Sequence, residues 1–256
     1  MKDAFNAAAS TLVAAAVLLT GGAAFAAGGG GAGGGGGGGG KLQIATRGLF
    51  VVDQPRLGEA NITGYLIAQL AGGGGTPADT VVTLNGVRLV PMPGTVAGYF
   101  IVDPAGPQPA LGPDGFLHLV ASSVSANNTR QLNLPCSQPV VETTDPVAGT
   151  SLQVTTQLNV SWSPAFPQNV ALVTNGSFMD PPQIMLAGYD PSTGQPVGGS
   201  TNLLFLDQTL TNVTVPVTHT TAPLGYILEL KYPGTYVLDG NSGGVCGRVI
   251  RKLFTN

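Results

Sequence analysis

The chain is poor in charge. Of its 256 residues 9% are Asp, Glu, Lys or Arg, against roughly a quarter in an ordinary soluble protein. Ten basic and thirteen acidic side chains leave a formal charge of −3. Neither a basic nucleic-acid surface nor an acidic disordered tail fits that balance. A long solvent-exposed helix laced with ion pairs is excluded by the same shortage. Cysteine and histidine occur twice each and tryptophan once. Beyond the N-terminus no apolar run reaches the roughly 20 residues that cross a bilayer as a helix. What is abundant is glycine, at 39, and proline, at 20. Prolines scattered between short apolar runs oppose a helical bundle. The composition points to an exported, β-rich chain of two domains.

The N-terminus reads as a leader. Lys2 precedes the apolar run Leu12–Leu19, and Ala24-Phe25-Ala26 supplies a small-x-small cleavage site. Residues 1–26 are therefore expected to be a signal peptide, making the mature protein secreted or periplasmic with no membrane span. No cysteine follows the cleavage site, which argues against a lipid anchor. From Gly28 to Gly40 every residue except Ala32 is glycine. Glycine loses the most backbone entropy on ordering and brings no side chain to bury, so residues 27–40 are expected to be disordered.

From Lys41 onward short β-prone runs alternate with turn dipeptides. Val81–Leu84 and Val87–Val90 flank Asn85-Gly86, the pairing a type I′ hairpin turn demands. Asp114-Gly115 introduces Phe116–Val120, and Asn175-Gly176 separates Ala171–Thr174 from Ser177–Met179. Leu158, Val160 and Trp162 alternate with polar neighbours, as do Val213, Val215 and Val217, and Tyr226, Leu228, Leu230 and Tyr232. One face buried and one wet is the pattern of an antiparallel sandwich strand. About seven such runs precede Pro135 and eight or nine follow it. The expected fold is all-β, with two tandem antiparallel sandwich domains at 41–135 and 136–256.

Two stretches of the second half resemble a known family. Pro146–Leu152 followed by Leu158-Asn159-Val160-Ser161-Trp162-Ser163-Pro164 resembles the opening of bacterial secreted fibronectin type III or Ig-like modules. Tyr226–Leu230 is similar to the late tyrosine-bearing strand of such modules, and Val82–Val87 with Gly98-Tyr99-Phe100 to other secreted Ig-like repeats. The resemblance implies Ig-like sandwiches, Trp162 packed inside one, and a binding or spacer role; fold alone does not fix function.

Cys136 and Cys246 are the only thiols, and export would place them where disulfides persist. A redox or nucleophilic cysteine would want a nearby histidine or a Cys-x-x-Cys spacing, and neither occurs. The pair is expected to form a structural disulfide closing the second domain, worth about 4–5 kcal/mol in the chain-entropy picture.

Other motifs point more weakly to chemistry. Gly240-Asn241-Ser242-Gly243-Gly244 matches G-x-S-x-G and is similar to the serine motif of trypsin-like proteases. A hydrolase elbow needs a helix after the serine, and Val245–Val249 reads as a strand; a protease needs a catalytic histidine segment, which neither His118 nor His219 supplies. A glycine-rich hairpin turn is the expectation. Asp239-Gly240-Asn241 starts like a calcium loop, but Gly243 and Ile250 occupy ligand positions. Asp103, Asp114 and Asp190 could join across space around calcium, yet such residues usually form turns by bonding their own backbone. His118, on a strand face with Phe116 and Val120, lacks a second ligand at metal spacing. Asn61, Asn127, Asn159, Asn175 and Asn212 begin Asn-x-Ser/Thr triplets, which matter only in a glycosylating host.

No catalytic, cofactor-binding or metal-ligating residue is assigned. The expected function is a secreted non-enzymatic Ig-like protein for adhesion, cell-surface scaffolding or ligand binding. Its weakly charged surface suits a cell-surface protein or a neutral glycan as partner, and homo-association through sheet edges. The alternatives are a secreted polysaccharide hydrolase and a self-assembling fibre or surface-array subunit.

Overall fold

Strand-forming residues dominate the chain from Leu42 to Thr255. The structure, a computed structural model, describes residues 40–56, 58–71, 75–94, 98–152, 157–168, 182–192, 195–217 and 225–255. The expected leader at 1–26, nearly all of the glycine tract, His219, and the expected Asn175-Gly176 turn with its flanking runs lie outside the described residues. No α-helix occurs among those described.

Among the described residues eight strands precede Cys136: β1 (Leu42–Val52), β2 (Ile62–Leu70), β3 (Val81–Leu84), β4 (Val87–Arg88), β5 (Val90–Pro91), β6 (Tyr99–Ile101), β7 (Phe116–Ser123) and β8 (Asn128–Pro135). Nine follow: β9 (Val140–Thr144), β10 (Gln157–Ser163), β11 (Gln183–Asp190), β12 (Gln195–Phe205), β13 (Asn212–Pro216), β14 (Gly225–Tyr232), β15 (Val237–Asp239), β16 (Ser242–Gly244) and β17 (Gly247–Thr255). The hairpin expected at Asn85-Gly86 joins β3 to β4, with φ of 46° and 80° at its two central residues. Two successive positive φ values suit Asn-Gly better than any pair with a branched side chain.

The strands pack as two sandwiches. In the first, β1, β2, β6 and β5 face a four-stranded sheet ordered β4-β3-β7-β8. Strand β1 is buried on both faces at its C-terminal end: Leu49 and Val51 meet the core of this sandwich, as Ile44 does nearer its start, while Phe50 and Val52 pack with Val249 in a separate cluster. In the second, a sheet ordered β13-β10-β9 faces β12-β11-β14-β17. Taken in chain order, its first, second and fifth strands form one layer and the others the second, an Ig-like arrangement. Trp162 is 4% exposed inside it, with its ring 4.9 Å from Phe166, which lies 5.0 Å from Tyr232.

The two sandwiches share a sheet. β17 lies parallel to β1, with Phe50 opposite Gly247 and Val52 opposite Val249, so the layers fuse into one ten-stranded sheet. Glycine is required at this crossing: a Cβ on Gly247 would sit 2.5 Å from the Phe50 ring. All described residues belong to one compact unit that contains two main hydrophobic cores. The cores change over near Cys136, but the chain returns across that point. β16 pairs with β1, and β15 pairs with β16.

The cysteines follow the returning segment. Cys136 and Cys246 are disulfide-bonded, with Cα atoms 4.8 Å apart. Both pack in the core of the first sandwich, with Leu134 and Val237 among its members, not in that of the second as expected. The reason is that residues 237–246 leave the second sandwich to pair along β1. The strand expected through Val245–Val249 is interrupted for the same reason, β16 ending at Gly244 and β17 starting at Gly247.

Scarce charge is concentrated at this junction. The β1–β2 loop lies over the outer side of β14 and β17, where the Arg251 guanidinium is buried. Its Nε donates to Glu229 at 2.9 Å, its Nη2 to Glu59 Oε1 at 2.8 Å, and its Nη1 to the Gln54 carbonyl at 3.0 Å. Arg56 Nη2 adds a second cation on Glu229 at 3.3 Å. Burial alone would push the Glu59 carboxyl up, but hydrogen bonds from Arg251 and the Arg56 backbone, with both guanidinium charges, hold it below its ordinary value. Arg248 closes the junction on Asp53 at 2.7 Å.

Candidate functional site

The outer face of the β3–β7–β8 sheet carries the uncommitted polar chemistry of the first sandwich. Alternation along β7 sends Leu117, Leu119 and Ala121 into the core and leaves Phe116, His118, Val120 and Ser122 on the outside. Register then sets His118 beside Asn133, Val120 beside Gln131 and Ser122 beside Thr129 of β8. From Ser122 to His118 this strip is about 13 Å long at roughly 3.3 Å per residue.

One end of the strip is a knot around Asp79. Its Oδ1 accepts the hydroxyls of Ser123 and Ser125, each at 2.7 Å, and its Oδ2 accepts the Ser125 backbone N–H at 2.7 Å. These donors, the backbone N–H foremost, hold the Asp79 carboxyl down at about 2. The knot fixes the β7–β8 hairpin tip, where Asn127 adopts a φ of 45°. Beside it opens a cleft of about 330 Å³, lined by Asp79, Ser122, Ser123, Asn127, Asn128 and Thr129 among others. The side chains of Ser122, Asn127 and Thr129 make no hydrogen bond to another described residue, whereas the Asn128 side-chain oxygen is occupied by the Leu42 N–H at 3.1 Å. Val124, 89% exposed, stands at the rim.

The other end is a histidine held on both sides. His118 Nδ1 lies 2.9 Å from Asn133 Oδ1 and Nε2 lies 3.0 Å from Asp114 Oδ2. Two acceptors favour the doubly protonated ring, so the Asn133 oxygen first, then the Asp114 charge, raise the His118 pKa above its ordinary value. Asp114 is held below its own, chiefly by the Phe116 backbone N–H and then by His118. The outcome is a strip offering hydroxyls, amides, one imidazole and a fixed carboxylate on a sheet.

The sequence motifs take other places. Ser242 is fully buried, and its oxygen accepts the Ile44 N–H and Arg130 Nε, each at 3.0 Å. Arg130 in turn pairs with Asp239 at 2.8 Å. Ser242 begins β16 after a Gly240-Asn241 turn, so its hydroxyl ties the returning hairpin to β1 and β8. Asp103, Asp114 and Asp190 each accept a backbone N–H two residues on, from Ala105, Phe116 and Ser192. They form turns and do not gather. Among the described residues no group of three or more His, Cys, Asp or Glu side chains is poised around a metal position. No helix among them is long and apolar enough to cross a membrane. Sequence reasoning passed over Asp79, whose partners lie 44 and 46 residues away; the polar run Ser122-Ser123-Val124-Ser125 at a hairpin tip was its only local signal.

No protein-family model matches the sequence, and no curated protein matches it. Solved structures do align. Salmonella alpha-2-macroglobulin reacted with methylamine aligns over 84% of this chain at 12% identity, with a TM-score of 0.23. This chain spans 15% of that chain's length. The FN1–FN3 domains of chicken CNTN1 align over 85% of this chain and 69% of theirs, at 10% identity and a TM-score of 0.23.

Proposed function

We propose that this chain is a non-enzymatic binding module of an oxidising, extracytoplasmic compartment, and that the β7–β8 strip takes an uncharged, hydroxyl-rich ligand such as a neutral glycan. The observation that carries the reading is the cleft beside Asp79, where Ser122, Asn127 and Thr129 present hydrogen-bonding groups that no described residue uses. Mixed donors and acceptors on a fixed backbone suit a ligand that is itself a ring of hydroxyls, and an exposed Val124 offers an apolar patch to its carbon face. A weak overall field favours a neutral partner over one drawn in by charge. The disulfide supports the compartment, since such bonds are rare where thiols are kept reduced. The fused sheet supports a rigid carrier for the strip.

The test is binding of soluble glucan, mannan and galactan oligosaccharides followed by amide NMR. Shifts confined to residues 79–83 and 116–133, lost in Ser122→Ala/Thr129→Ala, are the expected result. No shift at millimolar sugar overturns the ligand class, and release of new reducing ends from any of these glycans overturns the non-enzymatic reading in favour of a hydrolase.

A further inference from the structure

Among the described residues the sheets end in seven edge strands, β15 being a third edge of the ten-stranded sheet, and six of the seven carry a feature that discourages pairing, in β15 its three-residue length and Asp239. β4 is two residues long and includes Arg88, and β5 is two residues long and includes Pro91. β8 carries Arg130, β9 carries Glu142, and β13 ends in Pro216. β12 differs. It is the outermost strand of the ten-stranded sheet, with β11 as its neighbour, and no charged residue occurs from Pro191 to Leu206.

The geometry of its last five residues shows what the edge offers. Leu206 N donates to the Pro182 carbonyl at 2.8 Å, and the register runs on through Ile184 opposite Leu204 and Leu186 opposite Asn202. Antiparallel pairs alternate between bonded and unbonded. The even-numbered residues therefore bond to β11, and the backbone N–H and C=O groups of Thr201, Leu203 and Phe205 point to the open side. The side chains of Leu203 and Phe205 are 47% and 68% exposed.

We propose that Thr201–Phe205 is a self-association site, where a second copy of this chain pairs antiparallel across a two-fold axis at Leu203. That register sets Leu203 opposite its own copy and Phe205 opposite Thr201, so every outward backbone group finds its complement. The contact is isologous, the same patch on both partners, and closes at two copies. No charge in the strand meets its own image across the axis. Two five-residue edges with their Leu and Phe side chains bury less than the roughly 1,200–2,000 Å² of a standard stable interface, so the pairing is reversible and concentration-dependent. It is independent of ligand binding on the β7–β8 strip, which belongs to the other sandwich.

Sedimentation velocity of the purified protein over roughly two decades of concentration, up to about 1 mM, is the test. The weight-average mass is expected to rise toward twofold. Leu203→Lys/Phe205→Lys is expected to stay monomeric with an unchanged melting temperature, while Val124→Lys, at another exposed site, associates as the parent does. Amide exchange gives a readout that needs no variant: protection at Leu203 and Phe205 is expected to grow with concentration. A parent that stays monomeric throughout, a lysine double variant that still dimerises, growth beyond the dimer, or exchange at these amides independent of concentration would each overturn the proposal.

Discussion

The two sandwiches solve the same packing problem with different residues. The first is filled with aliphatic side chains, Phe100 being the one aromatic among the described residues of its core, and it encloses the disulfide. The second buries Trp162, Phe166, Tyr226, Tyr232 and Phe254 and has no crosslink of its own. An aromatic side chain buries about 150–250 Å², so a few of them fill a seven-stranded sandwich. The aliphatic core instead has its chain ends fixed, by Cys246 in the core and by polar ties such as Ser242 and Asp79 at its rims. Between the two stands Arg251, whose charge belongs to neither core.

That contrast can be broken most sharply at two buried anchors, Trp162 and Arg251. Trp162→Ala is expected to cost about 3–5 kcal/mol, with amide protection falling first in β10, β11 and β14 and last in β7. Protection lost evenly in both sandwiches would erase the distinction. Trp162→Phe sharpens it further: Trp162 Nε1 is buried without a hydrogen-bond partner among the described residues, so the smaller ring is expected to cost much less than alanine in the same denaturant titration. Arg251→Ala leaves Glu59 and Glu229 with Arg56 as their remaining cation, for an expected loss toward the lower end of about 3–5 kcal/mol. A single unfolding transition that splits into two by calorimetry would identify Arg251 as what couples the sandwiches.

Replacing both cysteines by alanine is expected to cost about 2–5 kcal/mol, with the change in exchange centred on β1, β7 and β8 and little effect at Trp162. The smallest effect belongs to the exposed histidine. His118 has its pKa raised above 6.5, so whatever stability it supplies is complete below pH 6.5 and is lost as pH rises through the folded value. An imidazole titration by NMR is expected to show that raised midpoint, and Asn133→Ala to lower it more than Asp114→Asn does. A larger drop in Asp114→Asn than in Asn133→Ala would show that charge, not the Asn133 oxygen, holds the ring.

Much of this architecture can be read from local pattern. The Asn85-Gly86 hairpin, the buried side of β10 and the Asp turns at 103, 114 and 190 all follow from neighbours a few residues apart. The fused sheet does not, because β1 and β17 are parallel and lie at opposite ends of the described chain, and nothing in either strand names the other. The same limit hid the site. Asp79 reads as a turn former until the fold brings Ser123 and Ser125 to it, and Arg251 reads as an outward-facing strand residue until the β1–β2 loop covers it with Glu59. Cys136 shows the converse: its partner was legible from counting, but which core it serves depended on the path of residues 237–246.

The placement of β17 beside β1 has a consequence for how the polypeptide matures. A nascent chain emerging N-terminus first presents β1 (Leu42–Val52) long before β17 (Gly247–Thr255), the strand that covers its flank. Until then β1 has an open flank and Cys136 waits for a partner 110 positions downstream. Contacts of such high sequence separation form slowly and leave sticky intermediates exposed. The early half is therefore the one a chaperone would have to shelter, and it is completed only when β17 arrives.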